Sequence, residues 1–287
     1  HLLRTPDVMI VNLEGTLTTR GRSKCGPSEY QCYAFRAPPA YARDVFAAAG
    51  VDVLNLANNH SYDFGQPGHE DTRQAIAESG LTAVGGPGEI AVLTVRGIRV
   101  AIVGFAPYGY AAPLSDTVQV KALVAEAASR ADIVVVVVHA GAEGLSALHV
   151  KPVSERAFGE DRGNVMAFAD TAIAAGADLV VGSGPHVVRG MEFRKGRLTA
   201  YSVGKLVGYG GAFYTAGTFA HAGLLMVTMD EHGGFVQGTL HSIHIDRQGI
   251  PHPDPAKSAL RLMRTLSTQD FGPNAARIDA EGAIAPP

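Results

Sequence analysis

Three times along this 287-residue chain an alanine-rich stretch closes, an Asp follows, and an unbroken run of apolar, mostly β-branched residues begins. The three copies are FAAAGVDVLNLANNH (46–60), EAASRADIVVVVVH (126–139) and AIAAGADLVVGSGPH (172–186), and a fourth, short at its front, is PDVMIVNLEG (6–15). A strand buried on both faces needs continuous rather than alternating apolar residues, and an intervening helix supplies the crossover between parallel strands. The units therefore predict a parallel sheet of the open α/β class. They run through most of the chain in one polarity, so one large domain is expected over residues 1–250, with residues 251–287 a C-terminal helix, around Ala256 to Thr265, and a loose Gly/Pro/Ala tail packing on it.

The ends of the runs carry the chemistry. Counting from Asp7, Asp52, Asp132 and Asp178, the first polar cluster arrives seven or eight residues later, at Glu14, at Asn59 and His60, at His139 and at His186. At about 3.3 Å per residue these runs have similar length, so the side chains are expected near the carboxyl edge of one sheet. Open α/β sheets bind their ligands at that edge. Imidazoles with a carboxylate and an amide oxygen form a mixed N/O donor set, suited to Mn, Fe or Zn and not to a thiolate site. The rival reading is a Ser-His-Asp triad with Ser183, but VGSGPH is not the G-x-S-x-G elbow that such a nucleophile needs. GGPG (85–88) and GYGG (208–211) match neither a P-loop nor a dinucleotide fingerprint and read as turns.

Charge and hydropathy exclude other classes. The 24 Lys+Arg against 27 Asp+Glu give a net charge of −3, and no basic run or aromatic-basic patch stands out, so a nucleic-acid partner is not expected. The longest apolar run, Ile133 to Val138, is far short of the roughly 20 residues that cross a bilayer. Cys25 and Cys32 flank a turn-rich segment, CGPSEYQC, and read as a short-range disulfide, which places the chain in an oxidising compartment. The chain opens on His1 without a signal-like segment, so an N-terminal signal, or an upstream anchor, is expected to precede it, with an extracellular or cell-envelope location. Gly is unusually frequent, 34 residues, and is expected at tight turns and close backbone contacts.

Beyond these single features, NLEG (12–15), LANNHSYDFG (56–65), HAGAEG (139–144), GADLVVGSGPHV (176–187) and KGRLTAYSVG (195–204) resemble, in order, the motifs of the CapA family of poly-γ-glutamate capsule-synthesis proteins, relatives of the calcineurin-like metallophosphoesterases. The likeness runs from about residue 6 to about residue 230. It implies a four-layer αββα sandwich with mixed sheets and one or two divalent ions at the sheet edge. Glu14 would take the place of the metal-bridging acid, Asn59 and His139 would ligate one metal, and His186 would be a further ligand. His60 would be the general acid or steady the transition state, oriented by Asp63. Asn58, Glu143, Arg162 and Lys205 are the candidates for the substrate side: Glu143 as a supporting carboxylate or a solvated loop acid, Arg162 or Arg156 as an anion-gripping fork, Lys205 against an anionic group.

Three departures from the family pattern stand out. The first strand, which in the relatives ends in Gly-Asp, is expected to be missing. Gly-His-His-Pro-His reads Gly182-Ser183-Gly184-Pro185-His186, and Ser-Leu-Gly-Asn reads Ser202-Val203-Gly204-Lys205. The resemblance implies a metal-dependent hydrolase of a phosphoester or of an amide-linked anionic polymer such as poly-γ-glutamate; the alternative is a non-catalytic binding or anchoring protein with a degenerate metal site. Beyond Ala216, HAGLLMVTMD and GGFVQGTLHSIHID predict an antiparallel hairpin, with His241 and His244 on its surface and His221 at its start as a site candidate.

Overall fold

The computed structural model describes residues 2–26, 32–208 and 216–287. The middle of the Cys25–Cys32 loop and most of the GYGG segment lie outside the described residues. The helices are α1 (Gly65–Glu78), α2 (Thr117–Arg130), α3 (Val165–Ala174) and α4 (Ser258–Phe271). Helix α2 starts where Asp116 accepts from the N–H groups of Val118 and Gln119, and α3 where Asn164 accepts from Ala167 N, the ordinary satisfaction of orphan amides at a helix start.

All four apolar runs form parallel strands, Ile10–Asn12, Val53–Asn55, Ile133–His139 and Leu179–Ser183. They divide between two sheets, which corrects the expectation of a single sheet edge. Ile10–Asn12 pairs with Val53–Asn55, and that strand with Thr82–Val84, in a three-stranded sheet. Ile133–His139 pairs with Leu179–Ser183 on one side and Ile98–Ala106 on the other, within a seven-stranded sheet that continues through Arg197–Ala200 to Met191–Arg194 and, at the opposite edge, to Ala91–Val95. A doubly buried strand carries the same apolar run in either sheet, so the pattern cannot distinguish them.

The layers follow from which face each residue presents. Val120, Val124, Phe168 and Ala172 of α2 and α3 pack on Val103, Phe105, Val134 and Val136 of the seven-stranded sheet. On its other face Ile102, Val135, Val137 and Leu179 share an apolar layer with Val53 and Val84 of the three-stranded sheet and with Leu240, Ile278 and Ile284 of a five-stranded antiparallel one. Helix α1 covers the outside of the three-stranded sheet, Ala75 and Ile76 against Leu54. The order helix, sheet, sheet, helix is the mixed α/β sandwich that the family resemblance implies.

The predicted hairpin is His221–Met229 with Phe235–Ile245. The tail is not loose: Ala283–Ala285 pairs with Phe235–Ile245 and with Arg277–Ile278, completing that sheet. Ile278 and Ile284 are both buried, each the single large apolar residue of its strand. Strands of two and three residues in a Gly/Pro/Ala-rich stretch offer too little alternation to be read from sequence. Helix α4 also runs to Phe271, beyond the expected end at Thr265, burying Leu266 and Phe271. Among the described residues no helix is long and apolar enough to cross a membrane.

At their carboxyl ends the two parallel sheets touch. A Cβ on Gly104, near the carboxyl end of Ile98–Ala106, would lie 2.2 Å from Asn55 Oδ1 and 3.0 Å from Gly85 Cα, so the approach requires a residue without a side chain. Replacement Gly104→Ala is expected to cost about 1–3 kcal/mol, read from urea unfolding midpoints, as overpacking typically does. Gly109→Ala, whose Cβ would meet nothing within 4 Å, is the control. Equal stability of the two variants would show that the sheet contact is not tight.

Candidate functional site

Each strand end hands over one polar side chain, and a buried amide network fixes where. Asn12 Oδ1 accepts from Asn55 Nδ2 (3.1 Å) and Asn58 Nδ2 (3.2 Å). Asn58 Nδ2 also donates to Leu13 O (2.9 Å), while Asn58 Oδ1 accepts from His60 N (3.0 Å) and Ser61 Oγ (3.3 Å). Asn58 is completely buried with its whole amide engaged, so it positions Glu14 and His60 and does not face a substrate as expected.

Glu14 Oε1 stands 3.3 Å from His186 Nε2 and 3.6 Å from His139 Nε2. His186 Nε2 is in turn 3.7 Å from Glu143 Oε2. His139 is completely buried, whereas the side chains of Glu14, Glu143 and His186 keep 17%, 16% and 15% of their surface, so the cluster opens to solvent on the side of these three. His186 sits at φ 57°, left-handed backbone that a non-glycine residue adopts seldom and chiefly at functional turns. A Cβ on Gly184 would lie 3.0 Å from both N and O of Ala140, which is how the His186 loop comes this close to the His139 strand.

Ser183 Oγ donates to Val138 O (3.3 Å) and lies 3.2 Å from His139 Nδ1. Asn12 Nδ2 approaches the same ring nitrogen at 3.4 Å, so Nδ1 is held by two neighbours while Nε2 faces Glu14. Ser183 is thereby a support for the imidazole and not a nucleophile. Burial pulls the His139 pKa down from 6.5 to about 4, the nearby Glu14 charge opposing it. Burial works to raise the Glu14 pKa, but His139 and His186 outweigh it and hold the carboxyl far below the usual range. Burial raises Glu143, and Glu14 holds the His186 pKa up against its burial.

Arg162 is not on the rim. Its side chain is 1% exposed, with Nη2 donating to Glu143 Oε1 at 2.8 Å and Nε 3.0 Å from Glu160 Oε2, so it steadies Glu143, whose other oxygen faces His186. Glu143 is accordingly a member of the cluster and not a solvated loop acid. Arg156 binds Gly159 O within its own hairpin and stays exposed. Lys205 is half-buried, which brings its ammonium down to about 8 against the pull of Glu14, and its Nζ lies 5.8 Å from the Phe219 ring centre. His221 begins the hairpin with Nδ1 buried and lacking a hydrogen bond among the described residues; His241 is half-buried and His244 exposed farther along it.

Beside the cluster, His60 Nδ1 is 2.8 Å from Asp63 Oδ2, with Asp63 completely buried. Cys25 and Cys32 form a disulfide. Sequence reasoning missed Asn12, Ser183 as a support, and two neighbours of Asp63: Phe35, whose N donates to Asp63 Oδ2 (2.6 Å), and Lys24, whose Nζ is 2.6 Å from Asp63 Oδ1. Their only sequence signal was proximity to the two cysteines.

Two observations bear on whether these donors fit a metal. Among the described residues no group of three or more His, Cys, Asp or Glu is arranged as a ready-made metal cage. Yet Glu14 Oε1, Asn59 Oδ1 and His139 Nε2 are buried without hydrogen-bond partners among those residues, a costly state for polar atoms that a cation would relieve. Two ligands about 2.1 Å from one ion are separated by about 3.0–3.4 Å in octahedral or tetrahedral geometry, close to the 3.3 and 3.6 Å between Glu14 and the two imidazoles. The chemistry and spacing of the donors fit a divalent ion after a small closure.

The pH dependence of the metal-free protein follows from His139. The unfolded chain takes up that proton from pH 6.5 downward and the folded protein only near 4, so stability falls as pH drops through this window and levels off below it, on the order of 3 kcal/mol in all. Glu14 acts below about 4.5 and His186 above 6.5, while His69 and His221, also pulled down from 6.5 by burial, add to the fall and Glu143, pushed up by burial, opposes it. His139→Gln is expected to reduce the slope of urea midpoint against pH between 6.5 and 4, leaving the share of His69 and His221; an unchanged slope would assign it elsewhere.

Residues 1–209 match the family described as bacterial capsule synthesis protein PGA_cap. The chain is similar to the capsule biosynthesis protein CapA of Bacillus anthracis, 33% identical over 180 residues that make up 55% of this chain and 40% of that protein. It is 29% identical over 223 residues to the PGA biosynthesis protein CapA of Bacillus subtilis strain 168, covering 72% of this chain and 54% of that one. It thus spans about half the length of the curated relatives it matches. The solved 5′-nucleotidase precursor of Thermus thermophilus aligns with 79% of this chain and 45% of its own at 17% identity, with a TM-score of 0.43. The family match runs across all the strand ends that build the cluster, and the chain belongs to the bacterial capsule synthesis protein PGA_cap family.

Proposed function

We propose that this chain acts in the bacterial cell envelope as a metal-dependent hydrolase of a phosphoester or of an amide-linked anionic polymer such as poly-γ-glutamate. The observation that carries the reading is Glu14 Oε1 lying 3.3 Å from His186 Nε2 and 3.6 Å from His139 Nε2, with Glu14 Oε1, His139 Nε2 and Asn59 Oδ1 all buried and unbonded among the described residues. These four residues would hold the ion, Mn, Fe or Zn by the softness of the N/O set. A divalent ion there supplies Lewis-acid polarisation and lowers the pKa of water.

The chain's own residues supply the rest. Asp63 fixes the His60 ring through Nδ1, so that Nε2–H can pass a proton to the leaving group. Arg162 holds Glu143 against His186, and Lys205 offers a cation to an anionic substrate. The polymer is suggested by the names of the CapA relatives, and the envelope location by the disulfide, which persists in oxidising compartments. A second reading, polymer binding without turnover, is favoured by one fact: no ready-made cage of His, Cys, Asp or Glu exists among the described residues.

Metal content by mass spectrometry, together with hydrolysis of a generic phosphoester and of poly-γ-glutamate, separates the readings. His139→Ala is expected to lose metal and activity together. His60→Ala keeps the metal and loses roughly 10²–10⁴ in kcat, the usual contribution of a positioned acid. A metal-free parent that binds the polymer and is unaffected by either substitution would replace the hydrolase with the binding protein.

A further inference from the structure

Asp63 is the most constrained acid near the cluster, and the proposed proton transfer leaves part of its environment unexplained. One oxygen, Oδ2, is shared by His60 Nδ1 at 2.8 Å and Phe35 N at 2.6 Å. The other, Oδ1, is completely buried and faces Lys24 Nζ at 2.6 Å. The same ammonium donates to Asn59 O at 3.0 Å, and Lys24 N donates to Asp63 O at 2.7 Å. A single lysine therefore touches the backbone of Asn59 and both the side chain and backbone of Asp63, the residues on either side of His60.

The disulfide explains how an otherwise flexible lysine is kept there. Cys25 follows Lys24 directly, and Cys32 stands three residues before Phe35, whose ring lies 4.5 Å from the His60 ring. With the two cysteine Cα atoms 5.5 Å apart, the bridge joins the arm that carries Lys24 to the arm that carries Phe35, and both arms end on the same carboxylate. Burying a carboxylate without a fixed countercharge is costly, and breaking one partner of a buried ion pair leaves the other uncompensated.

We propose that Lys24, held by the Cys25–Cys32 bridge, is a positioning residue for the His60–Asp63 pair: it fixes the carboxylate that aims His60 and ties that pair to the Asn59 turn. This rests on the reading of His60 as the proton donor. In its role, Lys24 touches no substrate. Loss of Lys24 lets the carboxylate turn away from Nδ1, and loss of the bridge frees both arms at once.

The test uses Lys24→Met, Lys24→Arg and the double variant Cys25→Ser/Cys32→Ser. The first readout needs no turnover: the hydrogen-bonded Nδ1 proton of His60 by NMR, and hydrogen-exchange protection of the Phe35 amide. Both are expected to weaken in Lys24→Met and in the cysteine variant and to be kept in Lys24→Arg. The second compares 4-nitrophenyl phosphate, whose leaving group needs no acid, with an alkyl phosphate, whose leaving group does. Lys24→Met should lower kcat by about tenfold or more on the alkyl ester and by far less on the nitrophenyl ester, with KM little changed, because only proton donation is impaired. Equal losses on both esters, or an unchanged His60 proton and Phe35 protection in Lys24→Met, would overturn the proposal. If the cysteine variant does not fold, Lys24→Met decides alone. A parent inactive on both esters ends the phosphoester arm of the hydrolase reading, while the NMR and exchange outcome still decides whether Lys24 holds the pair.

Discussion

Asn12 is the joint on which the cluster hangs. Its Oδ1 takes a hydrogen bond from each of Asn55 and Asn58, and its Nδ2 lies 3.4 Å from His139 Nδ1, across the gap between the three-stranded and seven-stranded sheets. A neutral hydrogen bond contributes only about 1 kcal/mol net. The leverage comes from the alternative, since removing Asn12 Oδ1 would strand two buried amide donors at once, and unsatisfied buried groups cost more than the bonds themselves stabilise. The contact works only because Gly104 and Gly85 let the sheets come together at Asn55. Packing sets the distance between the sheets, and the amides set the angle at which Glu14, Asn59 and His60 leave theirs.

Two carboxylates in the cluster behave in opposite ways, and the difference fits two different tasks. Glu14 lies between two imidazoles and stays ionised despite its burial, whereas Glu143 is pushed up by burial although Arg162 binds it. Glu14 is therefore a fixed negative charge at the centre, with an oxygen that lacks a hydrogen bond among the described residues. Glu143 is a weaker acid at the margin, steered by a guanidinium. Lys205, with its ammonium brought down to about 8 by burial, is held up in turn by the Glu14 charge.

What could be read from the sequence was the part governed by periodicity. The apolar runs gave the strands, and counting from each Asp gave the residues at their ends, because a strand advances by a constant rise. The partition into two sheets was invisible, since Val53–Asn55 and Ile133–His139 are both doubly buried and both read as continuous apolar runs. Arg162 was read as a rim residue because arginine is seldom buried unless paired, and its pairing with Glu143 spans 19 residues and depends on the hairpin between. Asn58 was placed on the substrate side, next to the ligand candidate Asn59, because adjacent amides in a turn differ only in which way they point. Lys24 left no pattern at all, because its role depends on a buried acid 39 residues away.

The Asp that recurs before each apolar run has its own structural purpose, at the edge opposite the site. Asp52 Oδ2 accepts from Met9 N, Asp132 Oδ2 from Arg99 N and Asp178 Oδ2 from Val134 N, in each case the backbone of the neighbouring parallel strand. The separations are 43, 33 and 44 residues. The strand registers beyond them keep those same offsets, Asn12 with Asn55, Phe105 with Val138, and His139 with Ser183. Each carboxylate thus grips the residue in register with itself, and a charged acceptor makes that bond stronger than a neutral one, about 1.5–3 kcal/mol. The bond matters because a slip of one residue turns every side chain of a strand to the other face. Such a slip would carry His139 away from Glu14 and Ser183 away from His139. The aspartates therefore set, from the far edge of the sheets, the level and the face at which the functional side chains arrive at the near one.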